Sequence, residues 1–542
     1  MDLATYIVQQ GEQLFGKRGT LMSLWQATAE NFYPERADFT ASRSMGDTFA
    51  DNLTTSYPTM ARRDLGNALG TMLRPTSKNW YHIRTRDNWD TIGVDARRWL
   101  EAAENNMRKA MVHKTSQFTR ATKEGDHDFA TFGQAALQTT LNSTATGVLY
   151  RCWHLRDVAW VEDQNGAVST VYRRWKPSVR LLANLFGKDK LHPDDQLKLE
   201  KDPYAEVTIW HVILPSSVCE YGTKETKPFK SVYLDVAHKK IIEEVGLFEQ
   251  EYTIPRWQTV SGSQYAYSPA TVTALPDARL IQAMTRVLLE AGEKAVTPPM
   301  VATQEAIRSD INVYAGGITF VDSDYDERLG EVLRPLTNDK SGIPLGLDMA
   351  RDTRAMIAEA FYLNKLTLPQ PGNDMTAFEV GQRVQEYIRQ AMPLFEPMEA
   401  EYNAPLCEIT FNKLMRIGAF GSPLDMPKEL RGKEIMFAFE SPLHDATERE
   451  KGQRFIEAGQ MLAQTVQLDP STAHILDASK ALREVLKAVG VPAAWTRSEG
   501  DVAEITKQEA QALQSQQLLA TMQQGADVAK TLSEASPVAP PL

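Results

Sequence analysis

The sequence predicts an α+β fold, mainly helical, with one sheet and a helical stalk. Three observations lead there. From about residue 143 the apolar spacing changes from helical to alternating, and Asp163–Gly166 (DQNG) supplies a hairpin signal between two alternating runs. Two helical patterns enclose a small strand-rich insert at about 298–342. Finally, a helix, a stiff proline loop and a long amphipathic helix follow one another between about 343 and 418.

Taken in order, residues 1 to about 35 have helical spacing, with Trp25, Ala29 and Phe32 on one face and Pro34 as a stop. Asp51–Leu73 is a second amphipathic helix, broken near Tyr57 and Pro58. Trp80 and Ile83 indicate a short strand, and Asp95–Phe118 and Glu124–Leu141 two more helices. Alternation follows at 147–150, 157–161 and 168–173, then a helical stretch at 175–200. Alternation resumes at 207–212, 231–234 and 241–248. Leu275–Ala295 is a clear helix, with Ile281, Met284, Val287 and Leu288 inside and Pro298–Pro299 beyond its end. From Ile343 to Lys365 helical spacing returns, with Met349, Met356, Ala360 and Leu363 on one face. Ile435–Phe439 reads as a strand returning to the main unit. Thr447–Gln467, Ala473–Val489 and the Gln-rich Glu504–Leu532 read as helices, and Ser536–Leu542 as disordered. A helix pair around a β-rich insert implies a stalk with a tip.

Between these helices lies Leu366–Asp374 (LTLPQPGND), stiffened by Pro369 and Pro371 and free of basic residues. The long helix then starts with Thr376 and Glu379 at the spacing of a capping box. Its apolar stripe is Val384, Ile388, Ala391, Phe395, Met398, Tyr402, Leu406 and Ile409, and Glu379 precedes Arg383 by the four residues of a favourable helical pair. Pro393, Pro397 and Pro405 each lack a donor, so kinks are expected. Such a helix serves equally as a core element or as a spine shared between subunits of a ring.

At 542 residues the chain is long enough for roughly three to four compact units of about 150 residues. Its 42% hydrophobic and 24% charged residues suit a folded soluble protein. The first residues lack the basic start and apolar run of a signal peptide, and no apolar stretch approaches the ~18 residues of a membrane span. Three scattered cysteines argue against a disulfide framework or zinc cluster and fit a reducing cytoplasm. The net charge of −11 and the lack of a Lys/Arg block disfavour tight nucleic-acid binding, which rests on phosphate neutralisation. An acidic or neutral wall would still let DNA pass without trapping it.

No phosphate-loop, dinucleotide, zinc-protease or nucleophile-elbow motif is present, and no catalytic residue, cofactor or metal is expected. Asp322, Asp324 and Asp326 have the spacing of an EF-hand start. Glu327 replaces the turn glycine and Leu333 the bidentate glutamate, so a solvated acidic turn is expected. Asp126, His127 and Asp128 are expected as polar residues capping a helix start, and Cys152 and His154 as a packed core pair.

The order of several strings resembles the head-to-tail connector (portal) proteins of short-tailed, podovirus-type bacteriophages. Trp25–Pro34 looks like the family's opening helix. Leu73–Pro75 followed by Trp80 and Tyr81 is similar to its L-x-P…W-F turn, and Val161–Arg173 to its hairpin with a central glycine. Pro255–Trp257 with Tyr265–Pro269 resembles P-x-R-W…Y-G-x-S-P, with Ala266 where the pattern has glycine. Met375–Val380 with Arg383 and Glu386 resembles M-T-A-T-E-V-x-x-R-x-x-E. The resemblance spans about residues 20–440. It implies a portal fold closed into a dodecameric ring at one capsid vertex. The parts would be a wing (1–270 and 375–440), stem helices (271–297 and 343–365), an α/β clip (298–342), a channel loop (366–374) and a helical crown (441–542) with a flexible tail. Thr367, Gln370, Asn373 and Asp374 are then the candidates for facing DNA. The implied partners are further copies of the chain, double-stranded DNA, the terminase large subunit, a tail adaptor, the major capsid and scaffolding proteins and internal core proteins. No membrane is implied. The protein would be assembled in the host cytoplasm and reside in the virion, and would not itself be an enzyme. The Gln-rich last helix reads equally as a bundle inside the capsid or as a frayed tail. Two other readings are a capsid or scaffold protein without a channel, and a metal-dependent nuclease built on Asp126 or Asp322.

Overall fold

The computed structural model describes residues 2–296 except 45, 49, 52, 76–78, 87–91 and 219–226; then 300–302, 333–335, 342–366, and 397–439 except 423; and short helical pieces within 455–514. The elements run α1 (Leu3–Gly16), α2 (Gly19–Phe32), α3 (Tyr57–Leu73), β1 (Tyr81–Thr85), α4 (Val94–Val112), α5 (Phe118–Phe132), β2 (Ala136–Leu141), β3 (Val148–Trp153), β4 (Val158–Glu162) and β5 (Val168–Trp175). Next come α6 (Val179–Phe186), α7 (Pro193–Lys201), β6 (Ile209–Pro215), β7 (Phe229–Asp235), β8 (Lys240–Leu247), β9 (Tyr252–Thr253), α8 (Leu275–Val296), β10 (Met300–Ala302), β11 (Leu333–Pro335), α9 (Gly342–Ala360), α10 (Leu363–Leu366), α11 (Ala404–Arg416) and β12 (Ile435–Phe439). The chain divides into two compact units, Met1–Tyr81 with Asn106–Phe420, and His82–Asn105 with Gly421–Leu542.

In the first unit, β4-β5-β6-β7-β8 form an antiparallel meander. Alternation puts Val158, Trp160, Val171 and Ile213 on one face, packed with Trp25, Ala29 and Phe132. Ala159, Tyr172, Val212 and Val232 take the other face, against Ile7, Val8 and Phe15 of α1. The β4–β5 hairpin closes through Gly166, whose φ of 76° matches the positive φ expected of the Asn-Gly step. A three-stranded sheet, β3-β2-β9, lies beside α5 and α11.

Several boundaries differ from the sequence expectation. The N-terminal helix is two helices separated at Lys17–Arg18, and residues 175–200 are likewise split into α6 and α7. The helix expected at Glu124–Leu141 stops at Phe132, because Gly133 takes a left-handed conformation (φ 77°), and Ala136–Leu141 is the strand β2. Ala266, where the connector pattern has glycine, has no positive φ; its amide donates to Gln134 Oε1 at 2.9 Å, so this turn does not need glycine.

α8 and α9 pack on each other, with Gly346 against Leu288; a Cβ on Gly346 would fall 2.8 Å from Leu288 Cδ2. The inward stripe of α9 is Ala350, Thr353 and Ile357, roughly one residue round from the expected face, and Met349 and Met356 stay exposed. Val287, expected inside α8, is 63% exposed, whereas Ile281 is fully buried. β10 pairs with β11 antiparallel.

In the second unit, β1 and β12 form a two-stranded ribbon. The strand at 435–439 is present as expected, but its partner is β1 and not the meander. Glu104 of α4 holds the ribbon's edge, accepting from the Ile83 amide at 2.7 Å. Among the described residues no helix is long and apolar enough to cross a membrane.

Candidate functional site: the two flanks of residues 367–396

Thr367, Gln370, Asn373 and Asp374, and the long-helix residues Thr376, Glu379 and Arg383, lie outside the described residues, as do Asp322, Asp324 and Asp326. What the structure defines is how the chain enters and leaves the stretch 367–396.

On the upstream flank, α9 ends at Ala360. Phe361 is buried against Phe32, ring centroids 5.3 Å apart. Tyr362 adopts a left-handed φ of 56°, uncommon for a bulky residue, which breaks α9 and re-aims α10. Its ring stacks on Trp257 at 6.4 Å and 16°.

On the downstream flank, the helix contains a π-turn at Glu399–Asn403 and then α11, with Pro405 in its first turn. Pro405 lacks an amide donor, and the π-turn lies just before it, where the ordinary ladder would be interrupted. Met398, Tyr402, Leu406 and Ile409 of the predicted stripe are buried. Tyr402 packs edge-on against Phe129 at 5.7 Å, and Phe129 lies 5.1 Å from Trp257. Tyr362, Trp257, Phe129 and Tyr402 thus form one continuous aromatic stack, and each flank rests on an end of it.

Polar contacts reinforce the downstream flank. Asn403 accepts from Arg74 Nη1 at 3.0 Å. The Arg74 guanidinium lies 4.5 Å over the Tyr402 ring and forms a buried ion pair with Asp126. Thr410 and Tyr150 share a hydroxyl hydrogen bond of 2.6 Å, and Lys413 pairs with Glu251 at 2.7 Å. Arg256 pairs with Glu401 at 3.1 Å and with Glu162, and donates to the Gly166 carbonyl at 2.9 Å, tying the helix to the hairpin tip.

Asp126, His127 and Asp128 do not cap a helix start; they sit in the second half of α5, and each meets its own arginine. Asp126 faces Arg74; Asp128 pairs with Arg36 at 2.9 Å; His127 Nδ1 lies 3.1 Å from Arg62 Nη1. Arginine only donates, so Nδ1 accepts and the ring is neutral. Burial, with Arg62 adding repulsion, pushes His127 down to about 4. Asp126 is raised by burial against the pull of Arg74. With these side chains committed to arginine, the nuclease reading loses Asp126. Cys152 and His154 are not a pair either: Cys152 Sγ lies 3.8 Å from Asp128 Oδ2, and His154 Nε2 lies 2.7 Å from Asp38 Oδ1. Burial raises the Cys152 thiol well above its usual range, which makes it a poor nucleophile.

A loop whose two ends are clamped to one rigid core, in a chain without a catalytic constellation among its described residues, belongs to a structural protein. Residues 4–496 match the bacteriophage head to tail connecting protein family, and the chain belongs to that family. It is 25% identical over 540 residues to a probable portal protein of Bordetella phage BPP-1, covering 96% of this chain and 93% of that one. It is 23% identical over 539 residues to the portal protein of Salmonella phage epsilon15, covering 97% and 95%. Its function is that of a phage portal, the connector between head and tail. Arg256 and Trp257, quoted above for the resemblance, are the residues that join the hairpin, the aromatic stack and the long helix. Arg36, Arg62, Arg74 and Asn403 were not visible as site residues in the sequence, since their partners lie far away along the chain.

Proposed function

We propose that copies of this chain close into a ring, dodecameric as the family resemblance implies, at one vertex of the capsid. Duplex DNA passes through its axial opening during packaging and ejection. The observation that carries this reading is the pair α8 and α9. Leu280 and Val287 lie on one side of α8 and Leu289 and Val296 on the other, at about 100° per residue, and all four are exposed. On α9, Leu345, Met349 and Met356 flank the inward stripe on one side and Leu347 on the other, again exposed. Two different uncovered apolar faces are what a heterologous, ring-closing contact requires, each copy offering its left face to one neighbour and its right face to the other.

In this reading 271–297 and 343–365 are the stem, 298–342 the clip, 1–270 with 375–440 the wing, 366–374 the channel loop and 441–542 the crown. Thr367, Gln370, Asn373 and Asp374 face the DNA, and the absence of basic residues there, with a net charge of −11, lets a polyanion slide. The terminase large subunit supplies the ATP-driven motor and docks first; a tail adaptor follows. Capsid and scaffolding proteins surround the ring, and core proteins meet the crown. Negative-stain images of the purified protein test this. Rings with an axial hole wide enough for duplex DNA are expected; a subunit that stays single at every concentration, or an assembly without a hole, overturns it.

A further inference from the structure

A second group of polar side chains lies away from the flanks, where the start of α7 meets the β7–β8 turn. His192 is the N-cap residue of α7, Asp194 and Asp195 occupy its first turn, Asp235 ends β7, and His238 sits in the turn. Asp194 Oδ2 lies 3.4 Å from His192 Nδ1 and 3.2 Å from His238 Nε2, and the three ligand atoms are all within 4.8 Å of one another. A tetrahedral zinc ion with bonds of about 2.0–2.1 Å separates its ligand atoms by roughly 3.3 Å. The two printed edges already have that length.

We propose that His192, Asp194 and His238 bind one divalent transition-metal ion of the zinc class, with Asp235 orienting His238 from behind. His238 Nδ1 lies 2.6 Å from Asp235 Oδ2, so this nitrogen donates and Nε2 is turned toward the site. That is the carboxylate–histidine–metal arrangement, in which the outer carboxylate fixes the tautomer and raises ligand basicity. Asp235 is held in turn, its Oδ1 accepting from the Ala237 amide at 3.0 Å. His192 Nδ1 already acts as an acceptor, taking the Asp194 amide at 3.3 Å, so its lone pair carries no proton. Asp195 stands behind the site, 3.8 Å from His238 Nδ1, and is occupied by Lys198 at 2.8 Å.

The charge balance favours a cation. Three carboxylates surround the two imidazoles, and Lys198 is the ammonium in contact with them. Lys190 is engaged by Glu243, and Lys240 donates to the Leu191 carbonyl. The helix N-terminus of α7 opposes a cation, but Asp194 and Asp195 in its first turn offset that dipole. The imidazoles stack with centroids 3.7 Å apart at 8°, too close for both to be cationic. Parallel rings send their lone pairs along parallel planes, so the part-exposed His192 ring must turn slightly to share an ion with His238. Three protein ligands leave a fourth position for water. The bound ion would pin the start of α7 to the β7–β8 turn, whose Lys239 already holds a left-handed φ of 51°.

The test uses the full-length protein, stripped with EDTA and titrated with Zn²⁺ against a chromophoric chelator, with retained zinc counted by elemental analysis after gel filtration. One zinc per chain is expected. Affinity should fall at least tenfold in His192→Ala and in Asp194→Asn, and about 10–100-fold in Asp235→Asn. The His192 and Asp194 side chains are 31% and 61% exposed, so both variants are expected to keep the wild-type circular dichroism. Hydrogen exchange at residues 235–240 should slow when zinc is added to the wild type and stay unchanged in His192→Ala. No retained zinc, or zinc retained equally by His192→Ala and Asp194→Asn, overturns the proposal.

Discussion

Replacing Asp126 with Ala tests whether the downstream flank is held by charge buried in the core. The Arg74 and Asp126 side chains are 4% and 3% exposed, so water cannot replace the lost partner. Arg74 would keep Asn403 and the Tyr402 face but no counter-charge. Breaking a buried pair from one side costs about 3–5 kcal/mol, because a charge is left uncompensated in the interior. At roughly 2 °C per kcal/mol for a unit of this size, the melting temperature should fall by roughly 5–10 °C. Hydrogen exchange should localise the loss to α3, α5 and α11, the elements that meet at the pair. The double variant Arg74→Met with Asp126→Leu should recover most of the deficit, since two apolar groups of similar volume need no compensation. A shift below 2 °C for Asp126→Ala, or a double variant as unstable as the sum of its single changes, would refute the reasoning.

Four further outcomes are expected. Gly133→Ala would place a Cβ 2.5 Å from the Tyr267 carbonyl carbon at a φ of 77°; a loss above about 3 kcal/mol should appear as a low soluble yield and an early melt. Ala266→Gly should destabilise by about 0.4–1 kcal/mol in denaturant titration, because the native φ is already open to alanine. Val287→Asp should abolish rings in negative stain while the subunit keeps its wild-type circular dichroism, since Val287 is 63% exposed in the single chain. Stability should also fall as pH drops from about 6.5 toward 4. His127 has a folded value of about 4, below its ordinary 6.5, so the unfolded chain takes the proton first; this one group is worth up to about 3 kcal/mol. His211, buried beside Arg173 and depressed in the same direction, adds to the loss. A melting temperature equal at pH 7.5 and pH 5 would contradict this.

Much of the architecture was legible because period and punctuation are local signals. Gly166 announced the β4–β5 hairpin, and helical spacing located α8, α9 and the stripe from Met398 to Ile409. Faces were harder to read. Met349, Met356 and Val287 are apolar at helical spacing yet exposed, because spacing does not say whether the same chain or another copy covers them. β2 was taken for helix because Ala136–Leu141 mixes good helix formers with two threonines, and the decisive event, the left-handed turn at Gly133, depends on the close approach of Tyr267. The charged clamp was illegible for a similar reason. Arg74 meets Asn403 and Arg256 meets Glu401 across hundreds and more than a hundred residues, and no local pattern carries such pairings.

Tyr362 and Tyr402 lean on opposite sides of one Phe129–Trp257 pair, so the polypeptide departs from and comes back to a common footing. A sideways load on the residues in between would arrive at both roots as compression of packed rings, which close-packed interiors resist. Each copy in an assembly would then present that stretch from an identical, shared base, and a shove felt at one root would be felt at the other.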